Sequence, residues 1–156
     1  VHTAVETTGC GSWDSLYEIC RKTDLIYYDI KLLDSELHRK FTGMSNDVIL
    51  RNLRRLSENR EAVGEIVVRI PCIPGINDHK EQIEQTARFV SELKLSFLEL
   101  LPYNEAAGAK YMWLFQDYSL QKLHTRKKEY YEELQKYVSQ FGLLPYGLGH
   151  GRRKEK

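Results

Sequence analysis

Four short runs of β-favouring residues alternate with longer segments of helical periodicity, and this alternation constrains the fold more than any other feature of the chain. The runs lie at residues 1–5, 25–29, 65–70 and 96–101. Parallel strands need a crossover of about a dozen residues or more, and a helix usually supplies it. The sequence therefore predicts an α/β fold with a parallel sheet and right-handed crossovers.

The helical segments are marked by their start residues and by apolar side chains three and four positions apart. Ser12, Asp34 and Asn46 are typical N-cap residues, and a helix is predicted after each of them. The remaining predicted elements are, in chain order, a helix at residues 78–93, a Gly-containing loop at residues 104–118 and a helix at residues 119–141.

Length and termini suggest one domain of a longer protein. A chain of 156 residues without repeats or linkers corresponds to a single domain. We expect this domain at residues 1–146, followed by a Gly-rich and then basic disordered tail at residues 147–156. The chain opens without an initiator Met at a run that already has strand character, so we expect a fragment.

The charges are balanced, with 23 Lys and Arg against 22 Asp and Glu and a net charge of +1. Such a chain has no long-range field for nucleic acid or an anionic membrane, so we expect neither as a partner. No apolar run approaches the roughly 20 residues that span a bilayer, and we expect a soluble cytoplasmic protein. Cys10, Cys20 and Cys72 lack the spacing of a disulfide framework or a metal site, so we expect reduced thiols.

Charged and polar residues stand where each predicted strand ends, and in a parallel sheet these ends meet at one rim. The residues are Glu6 and Thr7, Asp29 and Lys31, Arg69, and Tyr103 and Asn104. A ligand with a carboxylate and an ammonium group would suit them, with Lys31 or Arg69 on the carboxylate. Asp29 or Glu6 would then bind the ammonium group or hydroxyls. A simple ion pair between Asp29 and Lys31 is the alternative.

Other polar and aromatic residues are predicted to be structural. His38, His79 and His124 fall in predicted helices without a second ligand at helical spacing, so we expect them to be exposed to solvent. A second group follows helical spacing and is predicted to lie in the core or on helix surfaces: Tyr130, Tyr131 and Tyr137.

Four segments, in this order, resemble the glycyl-radical-enzyme activating enzymes, the radical SAM family that includes the activating enzyme of pyruvate formate-lyase. They cover residues 2 to about 112 of the chain. The segments are His2-Thr3-Ala4-Val5-Glu6-Thr7-Thr8-Gly9, Tyr28-Asp29-Ile30-Lys31 with Thr42-Gly43-Met44-Ser45-Asn46, Arg69-Ile70-Pro71 through Pro74-Gly75-Ile76-Asn77-Asp78, and Glu99-Leu100-Leu101-Pro102-Tyr103-Asn104.

The resemblance implies a partial (β/α) barrel of six strands, of which this chain would supply the last four. It also implies a site for S-adenosylmethionine in which Asp29, Ile30 and Lys31 form the Asp-x-Lys motif. The other cofactor-binding residues implied by the resemblance are Glu6 near the methionine end, Arg69, and Leu101 and Asn104 on the adenosine side. A monovalent cation would bind with help from Glu6, Thr7, Tyr27 and Asp29.

The chain departs from the family in two motifs. Asn104 stands where the family usually has His, and Glu6 stands where it usually has Asp. The loop at residues 104–111 resembles activating enzymes of dehydratase or lyase partners more than that of pyruvate formate-lyase.

The resemblance implies an oxidoreductase that forms a 5'-deoxyadenosyl radical and installs a glycyl radical on a partner, either pyruvate formate-lyase or a related enzyme. The parent would need a 4Fe-4S cluster and an external electron donor. The Cys-x3-Cys-x2-Cys loop that holds the cluster is absent from this chain, so we expect the fragment to be inactive alone. No residue here is expected to act as an acid or base.

Two other functions stay open at this stage. A lysine at a strand end beside an aspartate suits a Schiff-base lyase, with Lys31 as the nucleophile. The first strand would be an unprotected sheet edge, which suits a non-catalytic partner-binding module and predicts self-association.

Overall fold

The computed structural model describes residues 1–113, 115, 117–118, 120 and 122–146. Strands and helices alternate as the sequence predicts. In chain order they are β1 (Ala4–Thr7), α1 (Trp13–Cys20), β2 (Leu25–Asp29), α2 (Ser35–Thr42), α3 (Asp47–Glu58), β3 (Glu65–Pro71), α4 (Lys80–Glu92), β4 (Phe97–Leu101), a 3-10 turn (Glu105–Ala107), α5 (Gly108–Trp113) and α6 (Lys128–Ser139). The predicted disordered tail at residues 147–156 lies outside the described residues.

The four strands form one parallel sheet in the order β1-β2-β3-β4. This arrangement confirms the predicted α/β fold. Beyond β4, Leu144 continues the sheet through a parallel bridge to Phe97. The edge of β1 opposite β2 has no strand beside it among the described residues, so the sheet is open on that side.

The two faces of the sheet differ in their cover. Alternate residues of β2, β3 and β4 point into one apolar core with the helices. This core includes Ile26, Tyr28, Val68, Ile70 and Leu98 from the strands, Ile30 just after β2, and Leu53, Leu56, Ile83, Val90 and Val138 from the helices. The other side chains of the strands form an open face. At its amino end a small cluster of Leu25, Val67 and Phe97 packs with Tyr27 and Tyr146.

Two of the three predicted N-cap residues cap their helices. The side chains of Ser12 and Asp34 cap α1 and α2 by accepting backbone N–H groups. Asn46 precedes α3 as predicted but makes no capping hydrogen bond. Its amide instead donates to two backbone carbonyls, those of Leu32 and Leu33.

The prediction of a single helix at residues 119–141 is wrong, because the described residues before Lys128 are not helical. Long-range contacts hold that stretch in another conformation. The Glu105 carboxylate accepts the Thr125 N–H at 2.9 Å, and the Arg126 guanidinium donates to buried Asp78 at 2.8 Å. The predicted loop at residues 104–118 contains the 3-10 turn and α5 instead.

The prediction that His38 is exposed is also wrong, since its exposed fraction is 3%. Its Nδ1 lies 2.8 Å from the Met44 carbonyl oxygen and 2.9 Å from the Thr42 hydroxyl, so the ring closes the turn after α2. His79 and His124 are exposed, although neither lies inside a helix. Tyr131 packs in the core, as predicted.

Candidate functional site

The register of the sheet brings charged residues together at the carboxyl end of the open face. Asp29 of β2 stands beside Arg69 of β3, and Arg69 stands beside Glu99 of β4. Glu6 of β1 pairs with Tyr27, two residues before Asp29 on the same face. We call Glu6, Asp29, Arg69 and Glu99 the rim cluster.

Arg69 is the centre of the rim cluster. Its Nη1 donates to Glu6 at 2.9 Å, and its Nε donates to Asp29 at 2.9 Å. The guanidinium carbon lies 4.6 Å from the centre of the Tyr27 ring, which covers it from the amino side of the face. Only 10% of the Arg69 side chain is exposed. Two carboxylates therefore compensate the buried cation.

Ion pairing and burial shift the pKa values of Glu6, Arg69 and Glu99. The hydrogen bond and charge of Arg69 lower the pKa of Glu6. Burial lowers the pKa of Arg69, but its contacts with Glu6 and Asp29 outweigh burial and raise it overall. Burial raises the pKa of Glu99, although the nearby charge of Arg69 acts against this shift.

Lys31 makes no ion pair with any residue that the structure describes, so the alternative of a simple ion pair between Asp29 and Lys31 does not hold. Asp29 is bound by Arg69 instead. Lys31 follows the end of β2 and is half-buried. It lines a cavity of about 20 Å³ together with the residues just before α2 and residues of α4, and this cavity has room for about one water and not for a nucleoside.

The other predicted site residues make contacts of their own. The Thr7 hydroxyl accepts the Gly9 N–H at 2.9 Å, and the Leu101 carbonyl accepts the Cys72 N–H. The Ile30 side chain is buried in the core, while its N–H donates to the Arg69 carbonyl. Asn104 caps the 3-10 turn by accepting the Ala106 N–H, and no contact joins it to the rim cluster.

Sequence reasoning did not identify Glu99 as a site residue. The available signal was a charged residue inside a run that is otherwise apolar, Phe97-Leu98-Glu99-Leu100-Leu101. Its alignment beside Arg69 requires the register of β3 and β4, which the sequence does not reveal. The buried asparagines that hold the loops after the strands were also missed.

Curated proteins similar to this chain are activating enzymes. The isethionate sulfite-lyase activating enzyme of Oleidesulfovibrio alaskensis is 43% identical over 114 residues, which are 73% of this chain and 36% of that protein. The 4-hydroxyphenylacetate decarboxylase activating enzyme of Clostridioides difficile is 34% identical over 150 residues, 96% of this chain and 47% of that protein. The chain thus spans less than half of each relative. No family model matches it.

Solved structures share the fold. A domain of pyruvate-formate lyase-activating enzyme from Bacteroides vulgatus superposes with a TM-score of 0.73 and 27% identity, covering 94% of this chain and 80% of that one. Streptococcus suis SuiB bound to S-adenosylmethionine has a TM-score of 0.63 and 18% identity, covering 94% of this chain and 32% of that one. The four-stranded parallel sheet therefore matches the fold of a radical SAM partial barrel.

The particular family follows from the relatives. The homologues of this chain are glycyl-radical-enzyme activating enzymes, and the chain belongs with them. The resemblance seen in the four sequence segments is thereby confirmed. These activating enzymes are oxidoreductases that use S-adenosylmethionine and a 4Fe-4S cluster.

The residues of this chain fit one of these two cofactors. The rim cluster offers carboxylates and Lys31 a cation, which suit the ammonium and carboxylate groups of S-adenosylmethionine. The cysteines do not fit a cluster, which needs thiolates. Burial raises the pKa of Cys20 to about 11 and that of Cys72 to about 12. Within the described residues, no group of three or more His, Cys, Asp or Glu could hold a metal.

No helix among the described residues is long and apolar enough to cross a bilayer.

Proposed function

We propose that this chain holds S-adenosylmethionine in an enzyme that installs a glycyl radical on a partner enzyme. When bound beside a reduced 4Fe-4S cluster, this cofactor supplies the 5'-deoxyadenosyl radical that takes a hydrogen atom from a glycine of the partner. The residues of the chain bind and orient the cofactor. We propose no residue of this chain as an acid or base in the radical step.

The charge balance of the open face is the observation that carries the proposal. On this face Glu6, Asp29 and Glu99 supply three carboxylates and Arg69 supplies one cation. Lys31, which follows the end of β2, supplies a second cation. With all of them ionised, one negative charge is left over. S-adenosylmethionine carries a sulfonium and an ammonium group against one carboxylate, so its net charge of +1 compensates this excess.

The ion pairs of Arg69 support an assignment of which residues bind each end of the ligand. Arg69 already binds Glu6 and Asp29, so Lys31 is the cation left to bind the carboxylate of the ligand. Asp29 and Glu6 accept the ammonium group through the oxygens that Arg69 does not occupy. We place Leu101 and Asn104 on the adenosine side, with Ile30 contributing backbone contacts. Beside the methionine end, Glu6, Thr7, Tyr27 and Asp29 would hold a monovalent cation.

Calorimetric titration tests this assignment. S-adenosylmethionine is expected to bind the chain, and Lys31→Ala is expected to weaken binding by about tenfold, because a charged contact is lost. Lys22→Ala is the matched control, since Lys22 is exposed and pairs with Glu18 on α1. S-adenosylhomocysteine, which lacks the sulfonium charge, should bind more weakly. Equal affinity for the two ligands would contradict the charge argument.

We propose that the chain is catalytically inactive without the rest of its parent. The cluster ligands expected for the reaction are not supplied by Cys10, Cys20 or Cys72. Reconstitution with iron and sulfide should give no 5'-deoxyadenosine from S-adenosylmethionine, even with a strong external electron donor. Detection of that product would show that the fragment argument is wrong.

The partner enzyme is proposed from the same relatives. We propose a glycyl radical enzyme of the lyase, dehydratase or decarboxylase type, supported by the names of the relatives and by the loop at residues 104–111. The parent would receive electrons from an external donor. We also propose a cytoplasmic location, supported by three cysteines that form no disulfide.

The open edge of β1 supports a further proposal about assembly. β1 pairs only with β2 among the described strands, so its outer N–H and C=O groups can pair with another strand. We propose that further strands of the parent cover this edge, and that the isolated chain self-associates there. Light scattering at high concentration should detect oligomers, and a strictly monomeric chain would contradict this proposal.

The Schiff-base alternative has less support, because Asp29 binds Arg69 and does not contact Lys31. Trapping of an aldehyde on Lys31 by borohydride would favour that alternative.

A further inference from the structure

Three asparagines of the chain are almost completely buried, and each donates two hydrogen bonds from its side-chain amide to backbone carbonyls. Asn46, Asn52 and Asn77 have exposed fractions of 1%, 2% and 2%. All six carbonyls belong to strands or loops at the carboxyl end of the sheet. Buried amides that satisfy two carbonyls fix the backbone around them.

Two of the asparagines act on the loop that carries Lys31. Asn77 donates to the Lys31 carbonyl at 2.8 Å and to the Pro71 carbonyl at 2.9 Å. Asn46 donates to the next two carbonyls, those of Leu32 and Leu33, both at 2.8 Å. The carbonyls of residues 31, 32 and 33 are thus bound from two sides. Asn46 binds two of them from the start of α3, and Asn77 binds the first from the loop after β3.

The loop that carries Asn77 is itself held in place. The Asn77 carbonyl oxygen of the side chain accepts the Ile73 N–H at 2.6 Å. Its neighbour Asp78 is fully buried, accepts the Gly75 N–H at 2.7 Å and binds Arg126 at 2.8 Å. The position of the Lys31 backbone is therefore tied to β3 and to the segment before α6.

We propose that Asn46 and Asn77 are positioning residues that hold Lys31 at the rim so that its amine can reach the carboxylate of S-adenosylmethionine. This inference rests on the proposed function. The amine of Lys31 has no ion-pair partner among the described residues, so no ion pair fixes it in the unliganded chain. A fixed backbone lowers the entropy that binding must remove.

Asn52 is a matched control. It is as deeply buried, and its amide donates to the carbonyls of Gly9 and Gly11 at 2.8 and 3.1 Å. Both of these hydrogen bonds go to the loop after β1 and neither goes to the loop that carries Lys31. Substitution of Asn52 should therefore reproduce the loss of stability without displacing Lys31.

A double-mutant cycle separates positioning from stability. Asn46→Ala and Asn77→Ala should each weaken S-adenosylmethionine binding by about tenfold, whereas Asn52→Ala should change it by less than about twofold. In the Lys31→Ala background, Asn46→Ala and Asn77→Ala should cause no further loss, because they act through Lys31. Equal losses in both backgrounds, or a loss with Asn52→Ala as large as theirs, would overturn the proposal.

A second measurement remains decisive if an alanine variant does not fold or if the wild-type chain binds no S-adenosylmethionine. The ¹³C NMR signal of the dimethylated Lys31 amine reports its surroundings without ligand. In Asn46→Ser and Asn77→Ser, which keep a small polar side chain, this signal should shift, and in Asn52→Ser it should not. An unchanged signal in the first two variants overturns the proposal, whereas absent binding by the wild-type chain overturns the proposed function alone.

Discussion

The two faces of the same sheet differ in how their side chains change along the strands. On the helix-covered face, residues such as Ile26, Tyr28 and Ile30 are buried from one end to the other, and the Tyr28 hydroxyl donates to the Ile49 carbonyl at 2.7 Å. On the open face, an apolar cluster at the amino end gives way to the charged rim cluster at the carboxyl end.

This difference shows that neighbouring residues of one strand can have separate roles. Because side chains alternate along a strand, Tyr28 belongs to the core while Asp29 belongs to the rim cluster. The helix-covered face holds the fold together. The open face ends in groups whose charges favour a ligand, and mutations on the two faces should therefore have distinct signatures.

The largest effect is expected on the helix-covered face. Ile26 is fully buried, so Ile26→Ala should lower the free energy of unfolding by about 3 kcal/mol through lost burial and a cavity. Urea denaturation measures this loss. Ile19→Ala is the control, since Ile19 is half exposed and should cost less than about 0.5 kcal/mol. Similar losses at the two positions would mean that the helices cover this face only loosely.

An intermediate effect is expected at the centre of the rim cluster. Arg69→Met leaves three neighbouring carboxylates without their guanidinium. We therefore expect the free energy of unfolding to fall by about 2 kcal/mol at neutral pH. The loss should shrink at low pH. In the variant, the carboxylates repel one another, and protonation at low pH removes this repulsion. In the wild type, the lowered pKa of Glu6 means that its contribution disappears as the pH falls below the ordinary value of 4.5.

Denaturation of the wild-type chain and of Arg69→Met between neutral and acid pH tests whether the loss of stability shrinks as the pH falls. Arg88→Met provides the control, because Arg88 pairs with Glu84 at 2.6 Å but is 61% exposed. Arg88→Met should lower the free energy of unfolding by less than about 1 kcal/mol. If the loss in Arg69→Met did not change with pH, lost packing against Tyr27 would explain it better than lost charge.

The contrast between the faces also explains how far the sequence alone could predict this molecule. Apolar runs and their spacing are local signals, so β2 and the helices that begin after Ser12 and Asp34 were predicted correctly. The charges at the strand ends were also visible. Their pairing was not, because Arg69 lies 63 residues from Glu6 and 40 from Asp29 in the chain.

The errors share one physical cause. His38, Asn46 and the stretch before α6 were interpreted by local propensity, whereas contacts with distant backbone or with other loops determine their conformation. An asparagine before a helix more often caps that helix than donates hydrogen bonds to the backbone of another loop. No pattern within one segment distinguishes the two roles.

The smallest effect is expected at Glu99, and its sign is opposite. Burial raises the folded-state pKa of Glu99 above its ordinary value of 4.5, so the ionised carboxylate opposes folding once the pH rises through that raised value. Glu99→Gln should therefore increase stability at neutral pH by less than about 1 kcal/mol. The gain should vanish below the ordinary pKa, where Glu99 is protonated in both the folded and unfolded states.

Urea denaturation at about pH 4 and about pH 7 measures the gain, with the exposed Glu92→Gln as a control that should show none. A loss of stability in Glu99→Gln at neutral pH would mean that the attraction of Arg69 exceeds the cost of burial. Glu99 would then be a third structural partner of the guanidinium. The excess negative charge at the rim would be needed for the fold, and it would no longer favour a cationic ligand.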